Sequence, residues 1–257
     1  MTEASMLEVL CCPTAVVDAA LLAQYETLLS RDELERLGGF RSPAAAKEFL
    51  IGRALLRSAL GERLKRLPGG LRFTRDRDGK PQLDAPDNAW HFNLSHSRDW
   101  VVLALSNFGA VGVDVEHHER TNNLRGIAGR FFSAAENTGL DALAEAAQRQ
   151  RFFELWTVKE SYVKALGRGI ATALAGTDIR YLSNSEIVMY LSGAARTSEP
   201  TMCWHYQLST DNSLALTAFG ATAQEGPRPL LFSHVPRSVP PQPILLLPQR
   251  RGAAICV

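Results

Sequence analysis

Helical and strand-like patterns alternate along most of the chain. Residues 15–38 place Leu21, Leu22, Tyr25, Leu28 and Leu29 on one side of one or two helices, with a break near Ser30. Ser42-Pro43 then supplies an N-cap and a first helical proline, opening a helix expected to reach about Leu60 and to stop at Gly61. Phe49, Leu56 and Leu60 share its apolar face, with Arg53 beside them and Arg57 one turn on. Residues 91–97 start as an alternating strand and end in small polar residues, and 100–105 read as a buried strand. In the strand Gly112-Val113-Asp114-Val115-Glu116, positions i and i+2 share a face. Asp114 and Glu116 therefore project together while Val113 and Val115 enter the core. Ser133 with Glu136 three residues on is a capping box. Residues 141–166 continue as helix, closed by Gly167 as C-cap. Short strands follow at 177–182, 186–191, 203–208 and 213–218. From Gly226 onward the pattern lapses, and seven of the 13 prolines fall there, so this stretch reads as an extended or disordered tail.

The chemistry gathers on two of these elements. Along the last helix Phe152, Leu155, Trp156, Tyr162, Val163 and Leu166 form an apolar stripe. Lys159 falls inside it, and Glu160 and Lys164 stack four apart along its edge. By itself the Glu160–Lys164 pair can be an ordinary surface ion pair; beside other carboxylates it can hold a metal and a phosphate together. Asp114 and Glu116 repel each other unless a cation lies between them, and an oxygen-only donor set suits Mg²⁺. A solvated edge strand would carry the same two residues. Glu136 has a structural task in its capping box and could also join a metal site. Arginine on a largely apolar helix, as at Arg53, needs a carboxylate or a phosphate. Residues 76–81 form a turn by composition, where Gly79 admits a flat ligand and Lys80 can reach a phosphate. His96 stands where a strand gives way to a loop.

Composition narrows the classes. With 257 residues, 46 % of them hydrophobic, the chain can bury a large core. A formal net charge of +1 argues against a broad nucleic-acid surface or a polybasic membrane patch. Cys11, Cys12, Cys203 and Cys256 show neither metal-ligand pairing nor a disulfide framework, which points to a reducing compartment. The N-terminal stretch does not resemble a signal peptide, and no apolar run approaches a membrane span, so a soluble cytoplasmic protein is expected.

Three patterns stand in one order: Phe92-Asn93-Leu94-Ser95-His96-Ser97, Gly112-Val113-Asp114-Val115-Glu116, and Trp156-Thr157-Val158-Lys159-Glu160-Ser161-Tyr162-Val163-Lys164. Together they resemble the Sfp-type 4′-phosphopantetheinyl transferases, whose signatures are G-[IV]-D-[IV]-E and W-x-x-K-E-[AS]-x-x-K. Gly79-Lys80-Pro81, Arg53 and the Phe131-Phe132-Ser133-x-x-Glu136 run also have counterparts in that family, and the likeness covers roughly residues 30–220. The resemblance implies an α+β fold of two similar α/β halves related by a pseudo-twofold axis, with the active site between them. The halves would be 1–111 and 112–225, with 226–257 as the tail. It implies Mg²⁺-dependent transfer of the phosphopantetheine arm of coenzyme A to a serine of an apo acyl or peptidyl carrier protein. Asp114, Glu116 and Glu160 are then expected as metal ligands, and Glu160, Lys164 and His96 as catalytic groups. Arg36, Arg53, Lys80, Ser95, His96, Lys159 and Lys164 are expected to hold coenzyme A. Glu33 and Glu48 depart from the pattern, since some relatives carry basic residues there. The carrier would meet a basic surface, with Arg41, Lys47 and the Arg149–Arg151 region as candidates, and a monomer is expected.

Two other readings compete. A metal-dependent nuclease commonly carries an acidic-x-Lys triplet on a strand, but Glu116 is followed by His117-His118. A non-catalytic binding module derived from such a transferase would require loss of a metal ligand, and all three acidic residues are present.

Overall fold

Two helices of 22 residues frame the molecule, one at each outer face. A computed structural model describes residues 4–75, 81–84, 90–119, 123–167, 173–222, 227–238 and 240–257. In chain order the first part contains β1 (Leu7–Pro13), α1 (Ala19–Glu26), α2 (Arg31–Gly38), α3 (Pro43–Leu64), β2 (Phe73–Arg75), β3 (Pro81–Leu83), β4 (His91–Ser97) and β5 (Trp100–Ser106). There follow β6 (Val111–His117), α4 (Leu124–Phe131), α5 (Ala134–Asp141), α6 (Glu145–Leu166), β7 (Thr177–Tyr181), β8 (Glu186–Leu191), β9 (Thr201–Ser209) and β10 (Asn212–Phe219). The chain closes with β11 (Leu230–Ser233), β12 (Gln242–Pro243) and β13 (Arg250–Cys256).

The fold is α+β. One sheet has the order β12-β11-β1-β5-β4, the other β6-β10-β9-β13-β8-β7, and β2 pairs with β3 in a small ribbon. Strand alternation assigns each face. Leu10 and Cys12 of β1 and Val101, Leu103 and Leu105 of β5 pack under α3. Their neighbours Leu7, Val9, Val102 and Ala104 pack instead against Val113 and Val115 of β6 and Leu214 and Leu216 of β10. The outer face of the second sheet is covered by α6, through Phe152, Leu155, Val158 and Tyr162. The layers therefore run helix, sheet, sheet, helix, a sheet-on-sheet core closed by a helix on each side.

Local signals explain most element ends. Ser30 and Ser133 each cap a helix with a reciprocal glutamate, Glu33 and Glu136. Gly167 ends α6 in the left-handed region, φ 68°, as the pattern predicted. Gly61 does not end α3: the helix continues to Leu64, with Lys65 as its left-handed cap. Its missing side chain serves the return of the chain, because a Cβ there would lie 2.9 Å from the carbonyl oxygen of Arg66. The helix expected over 141–166 is interrupted at residues 142–144, where α5 hands over to α6.

The reading of 226–257 as an extended or disordered tail is corrected. β11 pairs in parallel with β1, and β13 lies between β9 and β8 in the second sheet. Ile244 and Leu246 reach the inter-sheet core, while Leu245 and Leu247 face outward. Arg250 anchors β13 to α6 through Glu154 at 2.9 Å. The prolines misled because they lie mostly between the strands, and because Arg250-Arg251-Gly252-Ala253-Ala254 lacks bulky alternation. Gly252 is required where it is, since a Cβ would come within 1.8 Å of the Ile187 carbonyl oxygen.

Lys159, inside the apolar stripe, is wholly buried. Its ammonium pairs with Glu136 at 2.7 Å and donates to the carbonyls of Phe131 and Thr177. Burial pushes its pKa down, and the Glu136 carboxylate opposes that shift. Glu136 also accepts from the backbone of Ser133 and Ile179. The pair thus ties α6 to the start of α5 and to β7. All four cysteines are free, and none of the described helices is long and apolar enough to cross a membrane.

Two predictions concern the fold. A chain ending at residue 225 should lose its cooperative thermal transition, because β8 and β7 are then cut off from β9; a melt like that of the full chain would contradict the pairing. Lys159→Met should cost about 3–5 kcal/mol in urea unfolding by stranding a buried carboxylate, and adding Glu136→Gln should recover part of it. A Lys159→Met cost below about 1 kcal/mol, the level of a surface pair, would refute the structural role.

Candidate active site at the seam between the sheets

The edge strands β4 and β6 meet without a backbone ladder. Asn93, Ser95 and Ser97 project from alternate positions of β4, and their side-chain oxygens accept the N–H groups of Val113, Val115 and His117 at 2.9, 3.4 and 2.9 Å. The intervening residues Phe92 and Leu94 turn the other way, toward the core under α3. Strand alternation thus gives β4 one face for each half of the molecule.

On β6 the face opposite the valines carries Gly112, Asp114 and Glu116 against α6. Gly112 permits the contact: a Cβ would stand 2.1 Å from the carbonyl oxygen of Ser161 and 2.3 Å from the amide nitrogen of Ala165. On the helix Trp156, Glu160 and Lys164 recur every four residues along the facing edge. Trp156 Nε1 donates to Glu116 Oε1 at 3.2 Å. Lys164 Nζ reaches Asp114 Oδ1 at 2.6 Å and Ser95 Oγ at 3.0 Å, and Ser95 Oγ itself donates to Asp114 Oδ1 at 3.0 Å. Asp114, Glu116 and Glu160 are all buried, and Lys164 keeps partial access to solvent.

Beside this cluster lies a cleft of about 300 Å³ whose lining includes Arg36, Phe49, Arg53, Ser95 and His96. Arg36 and Arg53 both lie over the ring of Phe49, at 5.0 and 5.5 Å. Arg53 pairs with Glu33 at 3.5 Å, and its Nη1 is buried with no hydrogen-bond partner among the described residues. Arg57 is fully engaged inside, on Glu33 and on the carbonyls of Pro68 and Leu71. His96 Nδ1 stands 2.9 Å from Glu48 Oε2. Lys80 lies outside the described residues.

The structure therefore gathers Ser95, Asp114, Glu116 and Lys164, sets His96, Arg36 and Arg53 on the adjoining cleft, and takes Lys159 away. The expectation that Lys159 holds coenzyme A is corrected: its ammonium has no exposed surface and spends its hydrogen bonds on Glu136 and two carbonyls. Glu136, weighed as a metal ligand, is committed to Lys159 and two backbone amides. Of the basic residues considered for a partner, Arg149 is tied to the His118 carbonyl and Arg151 pairs with Glu154. Sequence reasoning missed Asn93 and Ser97, whose signal was a strand with polar residues on one whole face. It also counted Trp156 as packing alone.

A hard cation fits part of this arrangement. Among the described residues Asp114 Oδ2 is buried and accepts no hydrogen bond, an orphan acceptor of the kind a metal satisfies. Asp114 and Glu116 provide oxygen donors alone, matching an ion that completes its shell with water and phosphate. Among the described residues no group of three His, Cys, Asp or Glu side chains forms a ready-made metal cluster.

The chain matches family models along most of its length. Residues 110–219 match the 4′-phosphopantetheinyl transferase superfamily, and residues 18–107 match a 4′-phosphopantetheinyl transferase N-terminal model. A 4′-phosphopantetheinyl transferase of Bacillus subtilis is 31 % identical over 191 residues, covering 74 % of this chain and 82 % of that protein. The 4′-phosphopantetheinyl transferase HetI of a Nostoc species is 39 % identical over 152 residues, covering 58 % of this chain and 64 % of HetI. The match to HetI thus spans just under two thirds of that relative's length. Sequence, seam and acidic strand agree, and the chain belongs to the 4′-phosphopantetheinyl transferase superfamily.

Proposed function

We propose that the protein transfers the 4′-phosphopantetheine arm of coenzyme A to a serine hydroxyl of an apo acyl or peptidyl carrier protein, releasing 3′,5′-ADP. The observation that carries this reading is the convergence of Lys164 and Asp114 on Ser95, which lines a cleft that also carries Arg36 and Arg53. A cation and a carboxylate pair beside a guanidinium-lined cleft suit a pyrophosphate ester, which is anionic along its length.

Coenzyme A would lie in the cleft, its nucleotide end against Arg36 and Arg53, with Lys80 as a further phosphate contact. The unpaired Nη1 of Arg53 offers a donor already desolvated. Ser95 and His96 would flank the pyrophosphate, and the Lys164 ammonium would donate to oxygens that gain charge as the ester bond breaks. Asp114 and Glu116, with Glu160, would hold Mg²⁺, which when bound offsets the pyrophosphate charge. Glu160 would take the proton of the attacking serine, directly or through a water. Its spacing on α6 between Trp156, which contacts Glu116, and Lys164, which contacts Asp114, supports that role. Arg41 and Lys47, at the start of α3, are the basic residues left for an acidic carrier. The enzyme would act as a monomer in the reducing cytoplasm.

The test is mass spectrometry of an apo carrier protein after incubation with this protein, coenzyme A and Mg²⁺. The carrier should gain one phosphopantetheine arm, and EDTA or Asp114→Ala should abolish the gain. No gain across several carriers, with coenzyme A binding intact, would favour the binding-module reading. Glu160→Gln should lose turnover by roughly 100-fold or more, the scale of general-base catalysis, while coenzyme A affinity by calorimetry changes far less. Equal losses in both would remove Glu160 from the role of base.

A further inference from the structure

The geometry points to Glu48 as a positioning residue that fixes the tautomer and the direction of His96, an inference that rests on the transferase reading above. His96 is an even-numbered position of β4, so it faces α3 rather than the seam. There α3 packs closely on the sheet: a Cβ on Gly52 would already touch Leu94 and Val101, and Val101 is the β5 partner of His96. Glu48 sits one turn before Gly52 and brings Oε2 to 2.9 Å from His96 Nδ1. The carboxylate is the better-shielded member, with its side chain 17 % exposed against 57 % for the imidazole. Both residues line the cleft and a second, polar hollow beside it.

A carboxylate can only accept, so the pairing calls for the proton on Nδ1 and leaves Nε2 for a ligand. The same contact stops the exposed ring from rotating. A ligand at Nε2 then meets a ring whose direction is already set by the contact on its other nitrogen. Glu48 therefore acts through His96 and touches no reacting atom. The carboxylate that looked like a loss of basic surface in the sequence has a specific task in the structure.

The test combines nitrogen-15 NMR with kinetics. In the parent protein the His96 ring, assigned by its absence in His96→Ala, should show the tautomer protonated at Nδ1. Glu48→Gln should keep that tautomer, because the amide oxygen still accepts, and Glu48→Ala should lose it. With coenzyme A and a carrier as substrates, Glu48→Ala should lower kcat/KM about 10- to 100-fold, as removal of an orienting partner does, and Glu48→Gln should restore part of it. In the His96→Ala background the same Glu48→Ala change should alter kcat/KM by less than about twofold. An unchanged tautomer in Glu48→Ala, or an undiminished loss in the His96→Ala background, would overturn the assignment. Absence of transfer in every variant, parent included, would instead reject the transferase reading, and the NMR result would still decide the pair.

Discussion

Everything at the candidate site depends on how two sheet edges are joined. The N–H groups of Val113, Val115 and His117 on β6 lie in the interior, where an unpaired donor costs about 1–3 kcal/mol. They are satisfied by side chains of Asn93, Ser95 and Ser97 and not by another backbone. Because Ser95 also donates to Asp114 and accepts from Lys164, the joint between the halves and the polar cluster share one hydroxyl. Structure and chemistry are coupled at that atom.

The two lysines of the α6 motif show how one helix serves both purposes. Five residues apart, Lys159 and Lys164 point to different sides of a helix that turns about 100° per residue. Lys159 faces inward and closes a buried pair with Glu136. Lys164 faces the seam, where it is partly open to solvent and engages Asp114. Glutamates make the same division in the first half. Glu33 pairs with both Arg53 and Arg57, and Glu48 stands 2.9 Å from His96. The acidic departures at 33 and 48 are thus both spent on cationic or imidazole partners beside the cleft.

Much of this was legible in the sequence, for physical reasons. The period-two pattern of Val113 and Val115 gave the orientation of Asp114 and Glu116, and the capping residues Ser42 and Ser133 gave two helix starts, while Ser30 gave only a break. What stayed hidden was tertiary. Nothing local tells that Lys159 finds Glu136 across an element boundary, or that Asn93 and Ser97 substitute for a strand ladder. The C-terminal strands escaped because their residues are small and their prolines lie between them, so that only pairing with β1, β8 and β9 reveals them. Gly112 and Gly252 likewise look alike in sequence, and only the structure shows that each admits a backbone pressed against it.

The central claim is that the side-chain seam, rather than the motif residues alone, holds the site together. Asn93→Ala with Ser97→Ala tests it most directly, since neither residue has a proposed catalytic or phosphate-holding role, although Asn93 lines the cleft. Carrier modification should fall at least tenfold and the unfolding free energy by roughly 2–6 kcal/mol, two unpaired buried amides at the usual cost, while the circular dichroism of the folded state is retained. A double variant with parental activity and parental stability would contradict the account.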